Sequence, residues 1–252
     1  MAAFDRLLTV MDELRENCPW DMKQTIASIR HLTIEETYEL SDAILENDME
    51  EVKKEIGDLM LHMIFYSRIA SETNTFDVAD VLHGICDKLV HRHPHIYGDV
   101  KVENEEEVKK NWEQLKLQEG KKSVFEGVPN ALPSMVKAIR LQEKAKGIGF
   151  EWPDSSGALA KLEEELTEFK DTLKKDDLAD REAEFGDLLF SMINVSRYFN
   201  INADNALEKT NQKFKSRFEY IEKRASELNK NIGEMTLDEM DVYWEEAKIS
   251  LG

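Results

Sequence analysis

The chain has 252 residues, of which 34% are charged, 41% are hydrophobic and five are proline. This length allows one large domain or two of about 125 residues, and the composition favours a helix-rich protein with enough apolar content for a core. The net charge of −19 argues against a broad nucleic-acid footprint, because phosphate backbones need basic surface, but it leaves room for a small anionic substrate held by metal ions and local cations.

The cysteines and the apolar runs bear on the compartment. Cys18 and Cys86 form no CxxC pair, so we expect both to be reduced, small apolar residues of the interior. The N-terminus has no basic segment followed by an apolar core, and no apolar run approaches the roughly 18 residues of a membrane span. The longest run, 59–66, is interrupted by His62. These features predict a cytoplasmic protein that binds neither nucleic acid nor membrane.

Helices are predicted along most of the chain, because apolar residues recur at helical spacing. In the first half the predicted helices span 4–16, 25–46, 49–72, 76–91 and 103–118. In the second half they span 136–146, 157–174, 178–199, 203–228 and 237–249. A proline and a glycine predict a loop at 91–99, and a stretch without helical period predicts a linker at 120–133. We therefore expect an all-α fold with two domains, 1–119 and 134–252.

The second half of the chain repeats the first at a constant offset. Residues 55–68 align with 184–197 without a gap and share Glu, Gly, Asp, Leu, Met, Ile, Ser and Arg. The same offset of 129 residues places Glu36 on Glu165, in the preceding helix of each half. Because one offset serves both helices, internal duplication explains the pattern better than chance.

Each half carries two pairs of acids, one pair on each of two neighbouring predicted helices. Members of a pair are three residues apart, so both carboxylates lie on one helix face. Antiparallel packing would bring four carboxylates together; they would repel strongly without a cation, and an all-oxygen ligand set suits Mg²⁺. The alternative is a solvated acidic face. The acids are Glu36, Glu39, Glu55 and Asp58 in the first half and Glu165, Glu168, Glu184 and Asp187 in the second.

Two further features favour a ligand site over a solvated face. Gly57 and Gly186 each lie two residues after a glutamate of the acid pairs, inside a predicted helix. Glycine there costs about 1 kcal/mol relative to alanine, so we expect something to approach the backbone closely. Apolar residues follow at 59–66 and 188–195, so the acids border on the interior.

Basic and aromatic residues also recur in pairs one helical turn apart. A Lys–Arg pair supplies a mobile charge and a forked donor set for phosphate oxygens, or it is an ordinary basic patch beside a buried stripe that includes Phe214, Phe218 and Ile221. A Trp–Lys pair could stack on a base and flank a phosphate, or the Trp could belong to the core. The pairs are Lys88 with Arg92, Lys213 with Arg217, Trp112 with Lys116, and Trp244 with Lys248.

Other chemistries find little support. His91, His93 and His95 are close in sequence, but their spacing fits no standard zinc set, so a structural role at a helix end is favoured. The chain has no Gly-rich P-loop, no GxSxG and no Cys/His nucleophile arrangement. Di-iron bundles need Glu-x-x-His pairs, and neither acid pair has a His in that place.

The acid motifs read EExxE followed by ExxD, at 35–39 with 55–58 and at 164–168 with 184–187. Together with Cys-Pro-Trp-Asp-Met-Lys-Gln-Thr at 18–25, His-Pro-His at 93–95 and the two-copy layout, they give the chain a resemblance to full-length MazG-type nucleoside triphosphate pyrophosphohydrolases. The resemblance covers nearly the whole chain and is specific, because several independent motifs occur in the family's order.

This resemblance implies a four-helix-bundle fold in each copy, usually dimeric. It also implies Mg²⁺-dependent cleavage of a broad range of nucleoside triphosphates to monophosphate and pyrophosphate, with Mn²⁺ as an alternative ion. The second copy would be the main catalytic one, with Lys161 near the phosphates, although the first keeps its own acids and cations. The acids of both halves become metal ligands, and the Lys–Arg and Trp–Lys pairs become nucleotide-binding residues. The implied catalytic residues are Glu165, Glu168, Glu184 and Asp187, with Glu164 as a secondary candidate for the base.

Two other classes of protein stay open. A non-catalytic helical dimer that senses nucleotides and regulates a protein partner would bind nucleotide and form no product. A structural helical repeat would carry its acids on the solvent face and would gain no stability from Mg²⁺ and nucleotide.

Overall fold

The computed structural model describes residues 2–104, 107–108, 111–112, 115 and 123–251. Over these ranges the regular structure consists of α-helices and short 3₁₀ turns without strands, which confirms the all-α class. The chain divides into two compact units, Met1–Glu105 and Glu106–Gly252. The linker at 120–133 stays a prediction, since part of it falls outside the described residues. In the described part, no helix is both long and apolar enough to span a membrane.

A helical hairpin forms the centre of the first unit. Thr25 and Ser28 cap the start of α2 reciprocally, and Asn47 ends it in the left-handed conformation, with φ of 58°. The side chain of Asp48 then accepts the first free N–H groups of α3. The described helices are α1 (Ala2–Asn17), α2 (Ile26–Glu46), α3 (Met49–Ser71), α4 (Val78–Arg92) and α5 (Pro94–Tyr97), with a 3₁₀ turn at Asp21–Lys23.

The core of the first unit lies between α1 and this hairpin. Met11 of α1, Ile29 of α2 and the α3 residues Ile64 and Phe65 are buried against one another. At the end of α1, the Arg15 guanidinium donates to Glu72 and to backbone carbonyls. These hydrogen bonds hold the end of α1 against the rest of the unit. The α2–α3 hairpin is therefore a rigid platform for the side chains on its other face.

The second unit has two hairpins, α7–α8 and α9–α10, joined through α6. Helix α6 packs on both α8 and α9, and the buried Gln142 of α6 donates a 2.8 Å hydrogen bond to the carbonyl of Phe190. Ile221 and Ala225 of α9 form a core with Met235. The described helices after residue 133 are α6 (Ser134–Gly147), α7 (Ser155–Thr172), α8 (Leu178–Tyr198), α9 (Ala203–Glu227) and α10 (Leu237–Leu251), with a 3₁₀ turn at Ile232–Glu234.

Some local expectations were wrong. The predicted loop at 91–99 contains the short helix α5, because proline at a first helical position fits the helix and loses no hydrogen bond. Cys86 is exposed and Cys18 is half-buried, contrary to the expectation that both are interior residues. Of the predicted helix at 103–118, the described positions 107, 108, 111, 112 and 115 are helical, whereas 103 and 104 form a bend, and the remaining positions lie outside the described residues.

Two helices present apolar faces that the described chain leaves uncovered. None of the residues of α4 is buried, and its Val81, Leu82, Ile85 and Leu89 are all exposed. On α9, Ile221 is buried as expected, but Phe214 is 58% and Phe218 is 37% exposed, which corrects the prediction of a buried stripe. An amphipathic pattern identifies an apolar face, but the pattern does not say what covers it.

Candidate metal centre

In the first unit, three of the four predicted metal ligands meet between α2 and α3. Carboxylate oxygens of Glu36, Glu39 and Glu55 all lie within 4.8 Å of one another. Glu36 and Glu39 are one turn apart on α2, and Glu55 reaches them from α3. Glu55 is only 3% exposed, whereas Glu39 is open to solvent. The arrangement is a pocket of negative charge with one buried wall and one open side.

The second unit repeats this arrangement between α7 and α8. Oxygens of Glu165, Glu184 and Asp187 also lie within 4.8 Å of one another. Here α7 contributes the buried acid Glu165, which is 5% exposed, and α8 contributes the other two. Both clusters are thus formed by paired helices, although the first draws two acids from the earlier helix and the second draws two from the later one.

The fourth acid of each predicted set, Asp58 or Glu168, lies outside these tight groups but close enough to act on them. Burial raises the pKa of Glu36, and the charges of Asp58 and the other acids raise it further. Burial likewise raises the pKa of Glu184, followed by the charge of Glu168. The ionised carboxylates of each cluster therefore repel one another, and a bound cation would relieve this repulsion.

The ligand set fits a divalent ion. All its donor atoms are carboxylate oxygens, which hard cations prefer. In the first cluster, Oε2 of Glu55 is buried and has no hydrogen-bond partner in the described chain. A buried carboxylate oxygen left without a partner costs free energy, and a cation would satisfy it.

Each cluster also contains a lysine. Nζ of Lys161 lies 2.7 Å from Glu165 and 2.9 Å from Glu164, and hydrogen bonds to these two carboxylates raise the Lys161 pKa. In the first cluster, Nζ of Lys54 lies 3.4 Å from Glu55. Lys161 was expected from the family resemblance, whereas Lys54 was not predicted, because its position beside Glu55 looks the same as any charged pair on a helix surface.

The two mid-helix glycines have free space around them. A Cβ atom built on Gly57 or Gly186 would meet no atom within 4 Å. Packing inside the described chain therefore does not require glycine at these positions. The expected close approach to the backbone stays a prediction about a bound molecule or a second chain.

The predicted nucleotide-binding residues of the second unit lie mainly on the α9–α10 hairpin. The Trp244 ring lies 5.2 Å from that of Phe214, and the Arg217 guanidinium lies 5.7 Å from the Trp244 ring centre. Lys213 is exposed, and Lys248 pairs with Glu245. Arg217 and Trp244 thus form one cluster on the α9–α10 hairpin. Helix α6 packs on α9 of this hairpin and on α8 of the acid-bearing hairpin.

Their counterparts in the first copy of the repeat are only partly described. Lys88 is exposed and Arg92 is half-buried, both on α4. Trp112 is half-buried, and Lys116 lies outside the described residues. The histidine segment supports a structural role, since Nδ1 of His93 lies 2.6 Å from the Leu89 carbonyl at the end of α4.

Comparison with known proteins identifies the family of the chain that carries these two sites. The family model described as the MazG nucleotide pyrophosphohydrolase domain matches the chain twice, at residues 24–97 and 155–221. The chain belongs to the MazG family. The two MazG matches include all eight predicted metal ligands, Lys161 and both Lys–Arg pairs, whereas both Trp–Lys pairs lie beyond them.

Relatives match the chain over nearly its whole length and theirs. The chain is 37% identical over 257 residues to the nucleoside triphosphate pyrophosphohydrolase of Escherichia coli K12, covering 98% of each chain. It is 40% identical over 250 residues to the nucleoside triphosphate pyrophosphohydrolase/pyrophosphatase MazG of Thermotoga maritima, covering 97% of this chain and 95% of that protein. These matches confirm the resemblance inferred from the motifs.

Proposed function

We propose that this protein hydrolyses nucleoside triphosphates to the monophosphate and pyrophosphate. The main structural support is the acid cluster between paired helices, formed by Glu36, Glu39 and Glu55 and formed again by Glu165, Glu184 and Asp187. The relatives that match nearly the whole chain bear the name of this activity. We propose a broad range of ribo- and deoxyribonucleotide substrates and a role in nucleotide housecleaning or regulation.

The acids would hold Mg²⁺, with Mn²⁺ as a substitute, and the ion would supply charge neutralisation for the triphosphate and a more acidic bound water. In the second unit the proposed ligands are Glu165, Glu184 and Asp187, completed by Glu168. In the first unit they are Glu36, Glu39 and Glu55, completed by Asp58. The buried acids Glu55 and Glu165 fix the position of each site, because packing holds their side chains.

The chain's own cations would orient the triphosphate. Lys161, Lys213 and Arg217 would hold the phosphates and the departing pyrophosphate, while Trp244 and Lys248 would flank the base. Water attacks the α-phosphorus, and a carboxylate of the cluster or Glu164 accepts its proton. No covalent intermediate is needed, so positioning and electrostatic stabilisation provide the rate. In the first copy of the repeat, the corresponding nucleotide-binding residues would be Lys88, Arg92, Trp112 and Lys116.

We also propose that the protein is a homodimer with bundle cores completed by a second copy. Helix α4 buries none of its residues in the described chain, although Val81, Leu82, Ile85 and Leu89 make one face apolar. An exposed apolar face on a helix is typical of an interaction surface. Two-fold symmetry would let the same face of each copy cover the other.

The test is a panel of nucleoside triphosphates with Mg²⁺ in heavy-oxygen water. We expect pyrophosphate as the first product and the heavy oxygen on the monophosphate. Orthophosphate as first product, or label in the pyrophosphate, would exclude attack at the α-phosphorus. Glu184→Ala and Asp187→Ala should abolish turnover with the helical signal retained. Tight nucleotide binding without product over hours would instead favour the alternative, a non-catalytic nucleotide sensor.

A further inference from the structure

The second acid cluster is already partly neutralised by a side chain of the same helix. Nζ of Lys161 lies 2.7 Å from an oxygen of Glu165 and 2.9 Å from Glu164, one turn along α7. Glu165 is the buried member of the cluster, and its side chain is fixed, whereas the Lys161 side chain is 38% exposed. The ammonium can therefore move away from the carboxylate, but the carboxylate cannot move away from the cluster.

This lysine is specific to the second copy. At the constant offset between the two halves, the residue that corresponds to Lys161 is Leu32, and the residue that corresponds to Lys54 is Ala183. The first cluster thus takes its lysine from α3, where Lys54 also pairs with Glu51. Duplication alone does not account for Lys161, since each copy places its cation on a different helix.

We propose that Lys161 is an internal counter-cation of the second cluster, which a divalent ion displaces from Glu165 and which then becomes available to the triphosphate. The inference rests on the proposed metal site. A divalent ion bound to Glu165 would share that carboxylate with the ammonium, and like charges that share a ligand repel. Lys161 should therefore weaken metal binding without nucleotide and strengthen nucleotide binding once metal is present, which couples the two events.

The test uses the full-length chain with Glu55→Gln, so that the second cluster dominates metal binding. Calorimetric titration with MnCl₂ alone is compared for this protein and for versions that also carry Lys161→Met or Lys161→Gln. We expect both variants to bind Mn²⁺ about tenfold more tightly, as removal of one nearby positive charge predicts. With saturating Mn²⁺, they should bind a non-hydrolysable triphosphate analogue about tenfold more weakly.

Two controls separate charge from packing. Lys161→Arg keeps the charge and should leave Mn²⁺ affinity near that of the parent protein. Lys174→Met removes an exposed ion pair with Asp171 at the end of α7 and should change neither affinity. Circular dichroism of each variant checks that the helices are retained.

The outcomes distinguish this inference from the proposed function. Equal or weaker Mn²⁺ binding by both Lys161→Met and Lys161→Gln overturns the counter-cation role and leaves the metal centre standing. An absence of Mn²⁺ binding in every protein tested overturns the metal centre and the inference together. Tighter metal binding combined with weaker analogue binding supports both.

Discussion

Replacing the two buried acids, Glu55 and Glu165, by glutamine should remove the stabilisation of the protein by Mg²⁺ and leave the metal-free fold almost unchanged. These acids belong to separate clusters, so the single variants should each lose part of the metal effect and the double variant should lose all of it. Such a pattern separates a ligand role from a purely structural role, in which the metal-free protein itself would weaken.

The distances explain why the metal-free protein should tolerate the change at Glu165. Coulomb energy falls as the inverse of the distance, so the attraction between Glu165 and Lys161 at 2.7 Å is about 1.8 times the repulsion between two unit charges 4.8 Å apart. Oxygens of Glu184 and Asp187 both lie within 4.8 Å of Glu165, so together they repel it about as strongly as Lys161 attracts it. Both terms scale together with the dielectric constant, so they nearly cancel. We expect the free energy of unfolding without metal to change by less than about 1 kcal/mol.

With metal the difference becomes large. An ion at 100 times its dissociation constant stabilises the folded protein by about 2.7 kcal/mol for each site. Urea unfolding followed by circular dichroism, with and without Mg²⁺, measures this term for each variant. Glu163→Gln, an exposed acid of the same helix, is the matched control and should keep the full Mg²⁺ effect. Full Mg²⁺ stabilisation in the double variant, or a loss above about 3 kcal/mol without metal, would refute the reasoning.

Three further predictions concern stability and binding. Gly186→Ala should raise the free energy of unfolding by about 1 kcal/mol, because a Cβ there meets no atom. The same variant should lower turnover, because we expect a bound molecule to approach the backbone at this position, and a gain in both stability and turnover would contradict that expectation. A hydrogen bond from Arg15 lowers the pKa of Glu72 below its ordinary value of 4.5. The pair therefore stabilises the folded protein above pH 4.5, and this stabilisation is lost as the pH falls through the lowered pKa. Glu72→Gln should therefore cost about 1 kcal/mol in urea unfolding at neutral pH and almost nothing in acid, and an equal cost at both would be inconsistent. Trp244→Ala, which removes the contact with Phe214, should cost about 2 kcal/mol and weaken nucleotide analogue binding in calorimetry, whereas Trp244→Phe should retain most of both.

Local signals explain why the helices could be predicted closely. The reciprocal cap of Thr25 and Ser28 and the turn at Asn47 and Asp48 define the ends of α2 and the start of α3 within a residue or two. Acids three residues apart necessarily share a helix face. Glu36 and Glu39 could therefore be predicted to lie close to Glu55 once α2 and α3 were expected to pair.

Features that depend on neighbouring elements could not be predicted in the same way. Asp58 and Glu168 have the same spacing as their partners, but side-chain direction on the packed helices decides which oxygens meet within 4.8 Å. Cys86 and Phe214 belong to apolar faces that the described chain leaves exposed. Their residue types predicted burial, but burial at these positions would require a further surface to cover them. Lys54 was missed because adjacency in sequence does not reveal which acid its flexible chain reaches.

The proposed activity depends on divalent ions that bind between the paired helices, once in each unit. Anomalous diffraction from crystals grown with Mn²⁺ would locate these ions directly. We expect one peak among Glu36, Glu39 and Glu55 and another among Glu165, Glu184 and Asp187, each at carboxylate-ligand distance. Peaks elsewhere, or crystals in saturating Mn²⁺ with no peak at either cluster, would contradict it.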